Sequence, residues 1–212
     1  MTKSRKKNNT HDGQGSSITS KLPFVFFGTS RIAVGILDEL EKVGYVPELV
    51  VAAPDALRGR GMKLSPPPVK EWALARNISV FQPAPLDSEF CYKLQATSYK
   101  LFIVVDYGKI LPKTALDIPK RGCLNVHFSL LPRYRGASPI RSAILNDDRN
   151  IGTSIILLVE KLDEGPIVAQ KPIRLPPAGG WPMRANELED LFIHESGRLL
   201  AQILPEWVAG HI

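Results

Sequence analysis

The sequence predicts an α/β fold: a Rossmann-like, mostly parallel sheet of about seven strands with helices on both faces. Three observations predict it. Apolar runs of strand length alternate along the chain with segments of helical periodicity. The first three elements form a β-α-β unit, which requires parallel strands joined by a right-handed crossover. The run Leu101-Phe102-Ile103-Val104-Val105 is apolar at every position, as a strand covered on both faces must be. A length of 212 residues suits one domain. With 44% hydrophobic and 23% charged residues, disorder of the whole chain is excluded.

The elements follow in order. Residues 23–28 form a buried first strand that stops at Gly28. A helix comes next, with Ala33, Ile36, Leu37 and Leu40 spaced to share one face, Ser30 as N-cap and Gly44 as stop. Residues 46–53 are the second strand. Residues 54–68, rich in Gly and Pro, read as a long loop. A short helix over 69–76, a short strand over 78–81 and a helix over 87–96 lead to the central strand 101–105. A turn and a short helix precede a strand at 122–128. The segment 129–136 is a loop, 137–145 a helix, and 152–159 and 166–173 two further strands. A Pro/Gly-rich linker, 174–183, precedes a last helix, with Asn186 at its cap and Glu189 closing a capping box.

Charge and cysteine usage remove several classes. Residues 1–22 hold Lys3, Arg5, Lys6, Lys7 and Lys21 against Asp12, a local charge of +4 within the chain's +6. This stretch reads as a disordered basic tail, not a secretory signal, because no apolar segment follows the basic residues. Two cysteines, Cys91 and Cys123, cannot make a disulfide scaffold or a cysteine-rich zinc site. Reduced thiols suit a cytosolic protein. No apolar run approaches the roughly 18 residues that span a bilayer.

In parallel α/β sheets ligands bind beyond the carboxyl ends of the strands. That rule directs attention to polar residues there. Asn125 and His127 alternate with Leu124, Val126 and Phe128, so they share one face of a strand. Two such side chains at the end of an apolar strand are costly unless satisfied. They are either a hydrogen-bonded strand terminus or a site. Asp163, between two strands, is either turn chemistry before Gly165 or a third polar group. The leucines of Ser129-Leu130-Leu131-Pro132 either plug the core or wall a slot for a flat ligand. The loop Tyr107-Gly108-Lys109-Ile110-Leu111-Pro112 poses the same choice. Residues 56–70 carry Arg58, Arg60, Lys63 and Lys70 with no acid. That is a solvated basic loop or a surface for a phosphate-rich partner such as RNA.

Taken together, Asn125-Val126-His127-x-Ser129-Leu130-Leu131-Pro132-x-Tyr134-Arg135-Gly136 and Leu162-Asp163-x-Gly165 closely resemble the folate-dependent formyltransferases. The opening Phe27-Gly28-Thr29, the Arg58-Gly59-Arg60-Gly61 loop with Ser65-Pro66-x-Pro68-Val69-Lys70, and Tyr107-Gly108-x-Ile110-Leu111-Pro112 are similar to the members that act on methionyl-tRNA. The resemblance runs from about residue 23 to about residue 204. It implies transfer of a formyl group from 10-formyltetrahydrofolate to the methionine amino group of initiator methionyl-tRNA. It places catalytic roles on Asn125, His127 and Asp163, folate contacts on Ser129, Leu130, Leu131 and Pro132 with Tyr107, Ile110 and Leu111, and tRNA contacts on Arg58, Arg60 and Lys63. It implies no metal, no membrane, a monomer, and a place in the cytoplasm or an organellar matrix. Residues 23–212 would be the catalytic domain, without the C-terminal β-barrel of roughly 100 residues that the family carries.

The residue types suit that chemistry. Amine attack on a formyl carbon creates an oxyanion that the Asn125 amide and a protonated His127 can stabilise, each donor worth about 100-fold or more in rate. Asp163 can relay the protons that the amine loses and the leaving nitrogen gains. The chain departs from the family at Phe128, where glycine is common, at Asp106, where a small residue is usual, and at Ala56-Leu57, where Arg-Pro is usual. Two other readings share parts of the pattern. A formyltransferase for an amino-sugar nucleotide shares the Asn-x-His and Ser-Leu-Leu-Pro stretches, whereas one for glycinamide ribonucleotide would need a richer glycine loop than Gly28-Thr29-Ser30-Arg31. A folate- or RNA-binding domain with little catalysis would not need Asn125, His127 and Asp163 together.

Overall fold

The computed structural model describes residues 22–96, 98–175 and 184–212. The expected basic tail and most of the 174–183 linker lie outside these residues. Seven strands form one sheet: β1 (Phe24–Gly28), β2 (Leu49–Val51), β5 (Ser79–Phe81), β6 (Leu101–Val105), β7 (Cys123–His127), β8 (Gly152–Leu157) and β9 (Ile167–Pro172). Their order is β5-β2-β1-β6-β7-β8-β9. The first five run parallel, and β8 and β9 are antiparallel to their neighbours. Chain order reverses between β1 and β6, which makes that point a topological switch.

Helices cover both faces. On one side lie α1 (Arg31–Glu41), α2 (Pro68–Leu74), α5 (Pro139–Leu145) and α6 (Ala185–Ala209), packed on Phe24, Phe26, Leu101, Ile103, Leu124 and Val126. On the other lie α3 (Ser88–Gln95) and α4 (Lys113–Leu116), packed on Val25, Phe27, Phe102 and Val104. β1 and β6 are buried at every residue because both faces of the sheet are covered. The apolar spacing of α1 buries Ala33, Ile36, Leu37 and Leu40, and the Ser30 hydroxyl accepts from the Ala33 N–H as its cap. α1 and α6 approach closely because Gly35 leaves room for Ile193 and Gly197 leaves room for Glu39.

Two elements differ from expectation. Residues 54–68 are not a plain loop. β3 (Ala56–Arg58) and β4 (Lys63–Ser65) pair as an antiparallel hairpin outside the main sheet. Its turn uses Gly59, Met62 and Gly61 at positive φ. The hairpin eluded sequence reading because Leu57, Met62 and Leu64 are exposed instead of marking a buried face. The last helix starts before Asn186: Arg184 holds the N-cap position, and the Glu187 carboxylate accepts from the Arg184 N–H at 3.0 Å. The acid that closes this helix start is therefore Glu187, not Glu189.

Candidate active site

β7 carries the two residues that alternation singles out. Leu124, Val126 and Phe128 face the core shared with α1, α5 and α6. Asn125 and His127 therefore face the opposite side, as the period of two requires. Phe128 packs edge-on against Phe192 of α6, with ring centroids 5.9 Å apart, and so fills core volume on the face opposite Asn125 and His127.

The connection between β8 and β9 folds back over that polar face. The Leu158 N–H donates to the Cys123 carbonyl at 2.8 Å and the Leu157 N–H to the Pro166 carbonyl at 3.0 Å. A Cβ on Gly165 would overlap the Leu157 carbonyl, so only glycine closes this turn. Asp163 sits at its tip with φ of 51°, a left-handed backbone that aspartate tolerates better than most residues. There Asp163 Oδ2 accepts from the Gly136 N–H at 2.8 Å and lies 3.6 Å from His127 Nδ1. Both side chains are buried, each at 6% exposure.

The other imidazole nitrogen, Nε2, lies 2.9 Å from the Tyr134 carbonyl. A carbonyl only accepts, so Nε2 carries its hydrogen and Nδ1 is the nitrogen beside the carboxylate. The separation of 3.6 Å is too long for a direct hydrogen bond. A proton passing between Asp163 and His127 therefore moves through a water or after a small closure. Asn125 is half-buried, and its amide has no hydrogen-bond partner among the described residues.

These three side chains line a cavity of about 370 Å³, within the size range of small-molecule sites. Its walls include Val104 of β6, Tyr107, Ile110 and Leu111 from the loop after β6, and Leu158, Val159 and Leu162 from the β8–β9 connection. Ile110 is 73% exposed at the rim. The Tyr107 ring turns inward against Phe27, at 5.4 Å and nearly perpendicular, and its buried hydroxyl has no hydrogen-bond partner among the described residues. Burial pushes that hydroxyl up to about 12 and the Cys123 thiol, behind the cavity, also up to about 12. Lys109 pins the loop by donating to the Pro83 and Ala84 carbonyls at 2.8 and 2.7 Å.

The four residues Ser129, Leu130, Leu131 and Pro132 do not line this cavity. Leu131 is buried, and Leu130 fills the space that a side chain on Gly152 would occupy. A polar network holds their backbone: Ser154 Oγ donates to the Ser129 carbonyl at 2.6 Å and accepts from the Leu131 N–H at 3.1 Å. Gln170 Nε2 donates to Ser154 Oγ and to the Leu131 carbonyl. Sequence reading missed Ser154 and Gln170, although both are polar residues inside apolar strands. It also missed the Tyr134 carbonyl and the Gly136 N–H, which no side-chain pattern reveals.

Arg60 and Lys63 lie exposed on the β3–β4 hairpin. The Arg58 backbone ends β3, and its side chain falls outside what is described. Neither Arg60 nor Lys63 lines the cavity. The hairpin's base is fixed by Asp55, whose carboxylate accepts from Lys70 Nζ at 2.8 and 2.9 Å and from Gln82 Nε2 at 2.7 Å. The Lys70 and Gln82 hydrogen bonds hold the Asp55 carboxyl below its ordinary range. No group of three or more His, Cys, Asp or Glu among the described residues could hold a metal ion. No described helix is long and apolar enough to cross a membrane.

Fold and site together define a class: an α/β domain with an amide, an imidazole and a carboxylate converging beyond the ends of β6, β7 and β8. The chain belongs to the formyl transferase family, whose sequence model, described as "Formyl transferase", matches residues 21–179. It is 42% identical over 192 residues to a methionyl-tRNA formyltransferase of Halorhodospira halophila, covering 89% of this chain and 59% of the relative. To a methionyl-tRNA formyltransferase of Moorella thermoacetica it is 44% identical over 181 residues, covering 85% and 57%. The chain thus spans well under two thirds of the length of these curated relatives. Among solved structures, a phosphoribosylglycinamide formyltransferase from Streptococcus pneumoniae superposes with a TM-score of 0.68 at 19% identity, covering 89% of this chain and 99% of that one.

Proposed function

We propose that this chain transfers a formyl group from 10-formyltetrahydrofolate to the methionine amino group of initiator methionyl-tRNA. The observation that carries the reading is the unpartnered Asn125 amide opening on a cavity beside the His127–Asp163 pair. An amide left free beside two proton-carrying groups is the equipment that acyl transfer to an amine requires. The relatives of 42% and 44% identity, methionyl-tRNA formyltransferases by name, support the acceptor.

Each residue then has a task. Asn125 donates to the formyl oxygen as it gains negative charge. His127, with Nε2 committed to the Tyr134 carbonyl, exchanges a proton only at Nδ1. A protonated Nδ1 gives the site a second donor and makes an ion pair with Asp163. Asp163 keeps one oxygen on the Gly136 N–H, and the other makes no hydrogen bond among the described residues. That oxygen takes the proton released by the amine as its nitrogen bonds the formyl carbon, and a proton returned from the His127–Asp163 pair, directly or through water, reaches the folate nitrogen as its bond to that carbon breaks. Tyr107, Ile110 and Leu111 supply the apolar wall for the folate, and Ser129–Pro132 act from behind by fixing the turn after His127. The folate brings the activated formyl group. Arg60 and Lys63, with Arg58 on the same hairpin, supply positive charge for the tRNA backbone.

The test supplies formyl-labelled 10-formyltetrahydrofolate and compares methionyl initiator tRNA with an amino-sugar nucleotide as acceptor. Label is expected on the tRNA. Label on the sugar alone overturns the acceptor assignment, and label on neither overturns formyl transfer by this chain.

A further inference from the structure

We propose that Asp148 is a positioning residue for the site: through Tyr134 it holds the backbone carbonyl that decides which nitrogen of His127 carries the hydrogen. The connection is short and continuous. Asp148 follows α5, and its own N–H donates to the Ala143 carbonyl at 2.9 Å, so its backbone is fixed to that helix. Asp148 Oδ1 accepts from the Asn150 N–H at 2.9 Å. Asp148 Oδ2 accepts from the Tyr134 hydroxyl at 2.9 Å and pairs with Arg133. Tyr134 in turn presents its carbonyl to His127 Nε2 at 2.9 Å.

Tyr134 needs such a hold. Its φ is 54°, a left-handed backbone that a bulky residue rarely adopts. Strain of this kind persists only where the surroundings over-determine it. The loop is tied on both sides of Tyr134: the Ser129 hydroxyl donates to the Arg133 carbonyl, and the Gly136 N–H donates to Asp163. Neither tie touches the Tyr134 side chain. The ring packs against the core under α5 and α6, with the Arg133 guanidinium 5.4 Å from its centre, and Asp148 fixes its far end through the hydroxyl.

The chemical consequence falls on His127. With Nε2–H on the carbonyl, the proton-exchanging nitrogen is Nδ1, facing Asp163. If the Tyr134 carbonyl turns away, the neutral ring is free to place its hydrogen on Nδ1. Nε2 would then become the basic nitrogen, and the proton path to Asp163 would be lost. Neither Asp148 nor Tyr134 lines the 370 Å³ cavity. Their loss should therefore spare donor binding and slow the transfer step.

The experiment rests on the formyl-transfer reading only for its kinetic arm. Nitrogen NMR of the imidazoles reports the tautomer directly in the chain without substrates, with the His127 signal assigned by its loss in His127→Gln. The wild type should show hydrogen on Nε2. Asp148→Ala and Tyr134→Phe should shift His127 to a mixture of tautomers, whereas Asp148→Asn, which keeps an oxygen for the Tyr134 hydroxyl, should restore the wild-type signal. In the transfer assay the first two variants should lose up to about 100-fold in kcat, with KM for 10-formyltetrahydrofolate changed less than twofold. A His127 that keeps hydrogen on Nε2 in Tyr134→Phe overturns the proposal. So does an Asp148→Asn variant as damaged as Asp148→Ala. Should Asp148→Ala fail to fold, Tyr134→Phe, which removes a single hydroxyl, carries the same test. A shifted tautomer with no transfer activity even in the wild type would sustain the positioning link and sink the formyl-transfer reading instead.

Discussion

Replacing Tyr107 with phenylalanine should make this protein more stable without harming its site. The hydroxyl is buried with no partner among the described residues, while the ring packs on Phe27. A buried polar group left unsatisfied costs about 1–3 kcal/mol, and phenylalanine keeps every ring contact. Tyr107→Phe should therefore gain about 1 kcal/mol or more at neutral pH, a rise in Tm of roughly 2–4 °C for a chain of this size. The gain should grow in alkali. Burial pushes the hydroxyl up to about 12 in the folded chain, against about 10 when unfolded. The folded state thus holds a proton that the unfolded state loses. The stability this contributes is complete below pH 10 and disappears as pH rises from 10 to 12. At about 1.4 kcal/mol per unit, roughly 2–3 kcal/mol is lost there, and the variant escapes that loss. Urea melts of both proteins at pH 7 and pH 11, with donor KM measured beside them, read the effect. A variant that is less stable than wild type at both pH values, or whose KM for the folate rises severalfold, would refute the reasoning and return the hydroxyl to the ligand.

Other perturbations should separate chemistry from scaffold. Asn125→Ala should lower formyl transfer about 100-fold or more with little change in the melt, since the amide makes no hydrogen bond among the described residues; near-full activity would remove its role. Gly165→Ala should disturb the turn that presents Asp163, because the added Cβ meets the Leu157 carbonyl; activity should fall further than stability, measured by kcat and urea midpoint. Neutralising Arg60 and Lys63 together should raise KM for tRNA and flatten its salt dependence, leaving KM for the folate unchanged. An unaltered salt slope would mark the hairpin as solvated surface.

The fold was largely legible because burial writes itself into composition. β6 is apolar at all five positions and is buried at all five. The alternation through Asn125 and His127 fixed their common face, and Phe128 did not blur it because it continued the apolar set. Asp163 was legible only through its motif, since it reaches His127 across a turn that no periodicity describes. What escaped reading was what backbone atoms do. The Tyr134 carbonyl and the Gly136 N–H depend on chain direction, which side-chain identity does not encode. The β3–β4 hairpin escaped for the opposite reason: its leucines and methionine face outward, so no buried period marked it. Ser129-Leu130-Leu131-Pro132 could be read either as a core plug or as a ligand wall, and the hole at Gly152 that Leu130 fills has no signature in the local pattern.

The central claim is that Asn125, His127 and Asp163 form one catalytic unit for formyl transfer. The most direct measurement is a double-mutant cycle on His127→Ala and Asp163→Asn, read as single-turnover transfer of formyl to methionyl-tRNA. Groups that act together are strongly non-additive. The double variant should be about as slow as the slower single variant. Losses that multiply, or either single variant at near wild-type rate, would contradict the account.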